Sequence, residues 1–400
     1  MTGIDWLVIL VVLLGIVLYG LYKSHTTQNL EGYFLSNRNL PWYIVLLSIM
    51  GTQASAITFL SGPGQAYADG MRFVQYYFGL PLAMVVICIT FVPIFNRLKV
   101  YTAYEFLENR FDTKTRTFTS SLFLLQRGLS TGISIYAPSI IVSSLFGWDV
   151  FWVNIAMGGL LIIYTASGGA KAVAHTQKIQ IAIIFGAMIA AGFMVVHLLP
   201  AGIGLSDALH ISGKAGKTAV ITTGLTEKGF NWNDRYNLFS GIIGGFFLAL
   251  SYFGTDHSQV GRYLTAKNNR QSRMGLLMNG LVKVPMQFGI LLIGVLVFAF
   301  YQFQPPPITF NETLLSEVSA TPFRDSLQVL QKSYDSISAR KQAAAQLYVL
   351  SLRQEDQNDS AAAAFQQLNR QSEQYRESFR RITEKALNKK GEDANFVFLS

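Results

Sequence analysis

The sequence contains a single cysteine, Cys88, so it can build neither an internal disulfide framework nor a cysteine metal site. It is also poor in charge. Only 14% of its 400 residues are Asp, Glu, Lys or Arg, 50% are hydrophobic, and the mean hydropathy is +0.32, a balance that excludes an ordinary soluble globular domain. Paired carboxylates, a nucleophile elbow and a phosphate-binding loop are all missing from the pattern, which leaves an enzyme without support. The segment Met1 to Asp5 holds no basic residue and no small-residue cleavage pattern follows it, so the first apolar run reads as a retained span rather than a secretory signal.

What the sequence does have is long apolar runs. A bilayer core takes about 20 predominantly apolar residues per helix, and eight stretches qualify: 4–22, 41–61, 73–95, 117–146, 150–167, 178–200, 238–255 and 274–303. An all-α, multi-pass membrane protein is expected. The net charge of +9 does not point to nucleic acid, because residues 304–395 hold twelve basic and twelve acidic side chains and the whole excess lies among the spans. There, the loops 23–40, 96–116, 168–178 and 256–273 carry 13 Lys and Arg against 5 in the alternate loops. Basic loops face the cytoplasm. The amino terminus and residues 304–395 are therefore expected outside the cell membrane.

At Gln304-Pro305-Pro306-Pro307 the last span stops, since proline cannot continue a helix. Two three-four patterns follow, Leu327, Leu330, Tyr334, Ile337 and Ala344 across Lys341, then Phe365, Leu368, Tyr375, Phe379 and Ile382 across Ser372. With the polar break Gln354 to Ser360 between them they predict an external two-helix hairpin, the alternative being a partly disordered loop. Asn311-Glu312-Thr313 and Asn358-Asp359-Ser360 fit the glycosylation pattern. Residues 396–400, Phe-Val-Phe-Leu-Ser, turn apolar again and read as the opening of a ninth span.

Within the spans, Gly51-Thr52-Gln53-Ala54-Ser55-Ala56-Ile57-Thr58 is small and polar where lipid contact needs only bulk. One reading is close helix packing through Gly51 and Ser55; the other is an unwound helix whose freed carbonyls bind a cation. Gly241, Gly244, Gly245, Ser251, Gly254 and Thr255 interrupt the seventh span in the same way, and such a pair of interrupted spans points to an inverted-repeat transporter. Lys283 and Arg127 lie inside spans, where a charge is costly and marks either function or a structural pair. His175 and His197, at span ends, read as satisfied or solvated.

The chain resembles the solute:sodium symporter family, the sodium/solute cotransporters. The matching residues are Tyr33-Phe34-Leu35 through Leu40-Pro41-Trp42, the Gly51 to Thr58 stretch, Tyr101-Thr102 with Glu105-Phe106 and Arg110-Phe111, and Gly168-Gly169 through Ala172-Val173 to Thr176 and Gln180. Gly254-Thr255-Asp256, Arg262 with Ala266-Lys267, and Lys283 with Pro285 complete the series. The resemblance implies an inverted five-plus-five helix repeat and a sodium ion held by the backbone carbonyls of Gly51 and Ala54. It further implies a substrate cavity lined by Gln53, Ser55, Thr58, Thr131, Tyr252 and Lys283, with Tyr77 where sugar-transporting relatives carry an acid. Trp-Thr-Asp of other members reads His175-Thr176-Gln177 here, which removes a carboxylate linked to a second cation and favours one sodium per cycle. Gly132 through Tyr136-Ala137-Pro138 resembles the branch that carries small anions such as iodide, monocarboxylates and vitamin carboxylates.

Hydroxyl ligands from the family's eighth core helix are expected from about Phe396 onward, so the resemblance implies an ion site truncated within these 400 residues. The leading expectation is sodium-coupled import of a small polar solute or organic anion, with sodium, the small-molecule substrate and the lipid bilayer as partners and no nucleic acid. The alternatives are a membrane solute sensor on the same fold, a sodium/sugar symporter, or an inactive fragment.

Overall fold

Inside hydrocarbon, backbone polar groups must be paired within the chain, and a helix pairs them locally. Helix accordingly dominates the computed structural model, which describes residues 3–24, 29–55, 57–227, 229–353, 359–389, 391 and 393–397. In chain order the helices are α1 (Gly3–Ser24), α2 (Leu30–Leu35), α3 (Trp42–Gln53), α4 (Gly62–Asp69), α5 (Leu80–Ile89), α6 (Phe91–Leu98), α7 (Ala103–Arg110) and α8 (Thr113–Phe146). They continue as α9 (Val150–His197), α10 (Leu205–Lys214), α11 (Gly245–Thr255), α12 (His257–Leu264), α13 (Asn269–Phe303), α14 (Glu312–Ser319), α15 (Arg324–Arg353) and α16 (Asp359–Leu387). The β-structure among the described residues is a two-residue antiparallel ladder, β1 (Leu225–Thr226) with β2 (Gly229–Phe230), and an isolated parallel bridge between Leu40 and Ala266.

Among the described residues, three helical stretches are long and apolar enough to cross a membrane, Met71–Leu98, Gly169–His197 and Asn269–Phe303, rising to four if Trp42–Gln53 and Ile57–Asp69 form one broken span. Trp6–Gly20, Val150–Ile163 and Ser240–Thr255 are shorter apolar helices. Large side chains such as Leu124, Leu125, Leu129, Ile133 and Phe193 are more than half exposed, as a lipid-facing surface requires. Two expected spans, 150–167 and 178–200, run on as α9 without an intervening loop; the helical conformation is broken only at Gly169, with φ 58° and ψ −176°. The expected opening of another span at 396–400 lies partly outside the described residues, and Phe396 and Val397 form a turn. The polar break at 354–358, with the Asn358 acceptor, is also outside them.

The chain divides into two compact units. The first comprises Met1–Ala56, Gln75–Ala187 and Thr223–Met286. Its core packs Met84, Ile87 and Val92 with Phe253, Tyr263, Leu264 and Leu276. Tyr263 is wholly buried but not orphaned, since its hydroxyl donates to the Phe253 carbonyl at 3.2 Å and Ser272 Oγ donates to its carbonyl at 2.7 Å. Two glycines of the stretch expected as a seventh span serve this packing, whereas a Cβ at Gly244 would meet nothing within 4 Å. A Cβ at Gly241 or Gly245 would collide with the carbonyl oxygens of Gln75 and Tyr76, and the backbone there is a π-helical turn, Ser240–Gly244, rather than an unwound gap.

The second unit comprises Ile57–Val74, Met188–Thr222 and Gln287–Ser400. Helices α15 and α16 pack through Tyr348 stacked on Phe365 at 6.3 Å and through Leu327, Tyr334 and Phe379. Helix α14, which the three-four pattern does not reveal, joins the same cluster through Leu314 and Val318. Lys341 is 3% exposed within this unit, and burial pushes its ammonium down to about 8, with Glu373 offsetting part of the effect. Between pH 8 and the ordinary 10.5 the unfolded chain binds a proton that the folded chain has shed, so stability rises with pH through that window and the full cost stands below it. Lys341→Met should therefore stabilise the protein at pH 7 by about 3 kcal/mol, with the advantage fading as the pH approaches 10.5. Melting curves of both proteins across that range check it; a constant gap would mean that the stabilisation has another source.

Candidate functional site

Helix α3 opens with Pro41 as its N-cap and ends at Gln53, where Ala54 turns extended at φ −77° and ψ 105°. Its last helical bond runs from Ala54 N to Met50 O at 2.9 Å. Ala54 thus takes the chain out of helical geometry at the end of the stretch Gly51 to Ala54 whose carbonyls the resemblance assigns to the ion. Beyond Ser55 the chain resumes as a π-helical turn, Ile57–Ser61, which holds Thr58 in the second unit.

Gly51 has a packing duty as well. A Cβ there would lie 2.8 Å from Gln177 Cβ on α9, so only glycine lets the two helices approach this closely. The Gln177 amide bridges α3 in both directions: Ser48 Oγ donates to its Oε1 at 2.8 Å, and its Nε2 donates to Thr52 Oγ1 at 3.2 Å. A neutral amide with both ends engaged stands where the resemblance places a carboxylate in other members.

Of the residues expected to line a substrate cavity, the first unit brings three together. Gln53 Nε2 reaches Asn279 Oδ1 at 3.5 Å, and one turn further along α13 the Lys283 Nζ lies 5.8 Å from the centre of the Tyr77 ring. Asn279 is fully buried and Lys283 is 2% exposed. No acidic side chain pairs with Lys283 among the described residues. Asn279 was missed by sequence reading, although a buried amide one helical turn from the in-span lysine is a visible signal.

Tyr252 belongs to a different group of contacts. Gln259 Nε2 donates to its hydroxyl at 2.8 Å, and the Arg127 guanidinium lies 6.0 Å from its ring centre. Arg127 in turn meets Asp256 at 2.5 Å and also donates to Ser258 Oγ, so this arginine of α8 is a paired one. Asp256 itself caps α12 through Ser258 N at 2.8 Å. Beside them is a cavity of about 260 Å³ lined by Tyr104, Thr119, Gln126, Ser251, Tyr252 and Asp256 among others. His257, packed near Tyr104 and Phe123, is pushed down to about 4 by burial and by Arg262, and stays neutral at physiological pH. Thr131 is exposed on α8, and Ser55 is half-buried just past the α3 break.

A family model described as the sodium:solute symporter family matches residues 33–309. The chain belongs to the sodium:solute symporter family. Among curated proteins it is 30% identical to the human sodium/iodide cotransporter over 288 residues, covering 68% of this chain and 41% of that protein. It is 30% identical to human sodium-coupled monocarboxylate transporter 1 over 274 residues, covering 68% and 43%. With the sodium/sialic acid symporter of Proteus mirabilis the figures are 27% over 313 residues, 77% and 61%. The chain thus spans about two-fifths of the length of the human members it matches. A solved Na⁺-coupled sialic acid symporter in a substrate-bound outward-open state superposes with a TM-score of 0.69 at 22% identity, over all of this chain and 78% of that one. The symporter fold of helices in inverted repeats is therefore the fold of this chain. These relatives are membrane transporters coupled to sodium, and none is an enzyme by its description.

Proposed function

We propose that this family member is a multi-pass importer of the cell membrane that moves a small polar solute or organic anion with sodium, and that it transports without catalysing a reaction or binding nucleic acid. The observation that carries this reading is the break of α3 at Ala54. Carbonyls at Gly51 and Ala54 offer the oxygen ligands that suit a hard cation. Gln53, on the same break, reaches toward Asn279 and the Lys283 turn of α13. An ion that favours one arrangement of this strand of backbone also favours the solute that touches it, and that differential affinity is what coupling requires. Ser55, Tyr77, Thr131 and Tyr252, all in the first unit, complete the proposed solute path. The occupied amide of Gln177 supports a single sodium per cycle, since it supplies no negative charge to a second.

In cells expressing the protein from its own coding sequence, uptake of labelled iodide or lactate should require sodium and fail with potassium or choline. Equal uptake in all three salts would remove the coupling. The eight-span topology with residues 304–395 outside has its own test. Val329 is 67% exposed on α15. In a Cys88→Ala background, Val329→Cys should react with an impermeant thiol reagent on intact cells; reaction only after lysis would invert the topology.

A further inference from the structure

Asn279 and Lys283 present hydrogen-bond donors from one face of α13, four residues and one turn apart. Asn279 is fully buried, and its two polar atoms are treated differently: Oδ1 is taken by Gln53 Nε2, while Nδ2 has no partner among the described residues. The Lys283 ammonium, almost equally buried, faces the Tyr77 ring and meets no carboxylate among the described residues. A buried donor without an acceptor and a buried cation without a counter-charge are both costly, and native proteins seldom keep them side by side without a use. Both deficits have the same remedy, a group that accepts hydrogen bonds and carries one negative charge. A neutral polyol meets only the first deficit, because its hydroxyls can accept from Asn279 Nδ2 but bring no charge to balance Lys283.

We propose that Asn279 is the residue that selects the solute's charge: oriented by Gln53, it donates through Nδ2 to a small monoanion, a halide or a carboxylate, whose charge Lys283 balances. This rests on the transport reading above and names its substrate class. Gln53 gives the arrangement a second consequence, since the side chain that fixes the Asn279 amide grows from the residue next to the Ala54 break. A shift of that break on sodium binding moves Gln53 and with it the amide it orients, which ties anion affinity to the ion.

The test uses the purified protein and its melting temperature in sodium, with sulfate as the balancing anion and choline as the control cation. The probes are iodide, acetate, lactate and benzoate, set against the neutral lactamide, benzamide and glucose. At least one monoanion should raise the melting temperature in sodium but not in choline, while its neutral counterpart does not. Asn279→Asp, which replaces the donor by an acceptor and neutralises Lys283 internally, should raise the half-saturating anion concentration by tenfold or more and leave the shift caused by sodium alone intact. Asn279→Ser keeps a donor in less volume and should lose less than the aspartate variant; it serves also if the aspartate variant does not fold. Neutral probes that stabilise as well as anions, no response to any anion, or anion binding unaltered by both substitutions would overturn the proposal. In each of those cases a surviving difference between sodium and choline leaves the sodium-coupled reading standing, whereas loss of that difference in the unaltered protein removes the transport reading itself.

Discussion

Asp393→Ala should destabilise the protein by about 3–5 kcal/mol, the usual cost of breaking one side of a buried ion pair. Asp393 Oδ2 accepts from Arg376 Nη2 at 2.7 Å and from the Phe310 backbone N–H at 2.9 Å, with side-chain exposures of 5% for Arg376 and 4% for Asp393. Arg376 is further enclosed by Phe310, whose ring centre is 4.9 Å from its guanidinium carbon, and by Tyr67, whose hydroxyl accepts from Nη1 at 3.2 Å. Removing the carboxylate leaves that guanidinium without its buried counter-ion and Phe310 N–H without an acceptor. In a unit of this size the loss lowers the melting temperature by roughly 10 °C. The double variant Asp393→Ala with Arg376→Met should recover most of it, because an apolar side chain of similar length no longer needs the carboxylate. A single-variant loss under about 1 kcal/mol, or a double variant no better than the single, would show that solvent reaches the pair.

The second large effect falls on the proposed transport rather than on stability. Lys283→Met should lower substrate kcat/KM by about 10- to 100-fold, the range that corresponds to a hydrogen bond to a charged group, while melting at an equal or higher temperature. The two readouts move in opposite directions because the lysine is buried without a carboxylate, a state that costs folding energy and that methionine relieves. Lys283→Arg should not restore uptake, since a planar fork of five donors does not fit where a compact ammonium stood. Uptake with unchanged kinetics in Lys283→Met, measured beside the wild type at equal surface expression, would confine Lys283 to a structural role.

Several of these features were readable from local pattern. Lys283 and Arg127 stood out because a charge inside an apolar run is visible without any partner. The three-four spacings of 327–344 and 365–382 coincide with α15 and α16, and the interruptions at Lys341 and Ser372 coincide with buried polar positions. The small-residue stretch at Gly51 to Thr58 coincides with the end of α3 and the π-helical turn that follows. Family membership was equally legible, because the matching motifs keep their order over a long stretch of chain and the family model covers 33–309.

Hydropathy and spacing by themselves therefore determined a helical membrane protein, since the bilayer imposes its demand on every apolar run independently of the others, and the ordered motifs added the sodium:solute symporter family. Partnership is a different quantity. Arg127 finds Asp256 across 129 positions, Phe310 finds Asp393 across 83, and Gln53 finds Asn279 across 226, distances over which no periodicity carries information. Only the tertiary structure decided that one in-span cation is neutralised and the other is not, that Gln177 is engaged at both ends, and that the glycines at 241 and 245 answer to the carbonyls of Gln75 and Tyr76. The physical reason is that burial and pairing belong to neighbours in space: the cost of an ammonium or an amide depends on what the fold sets beside it, and the chain's order does not say what that will be.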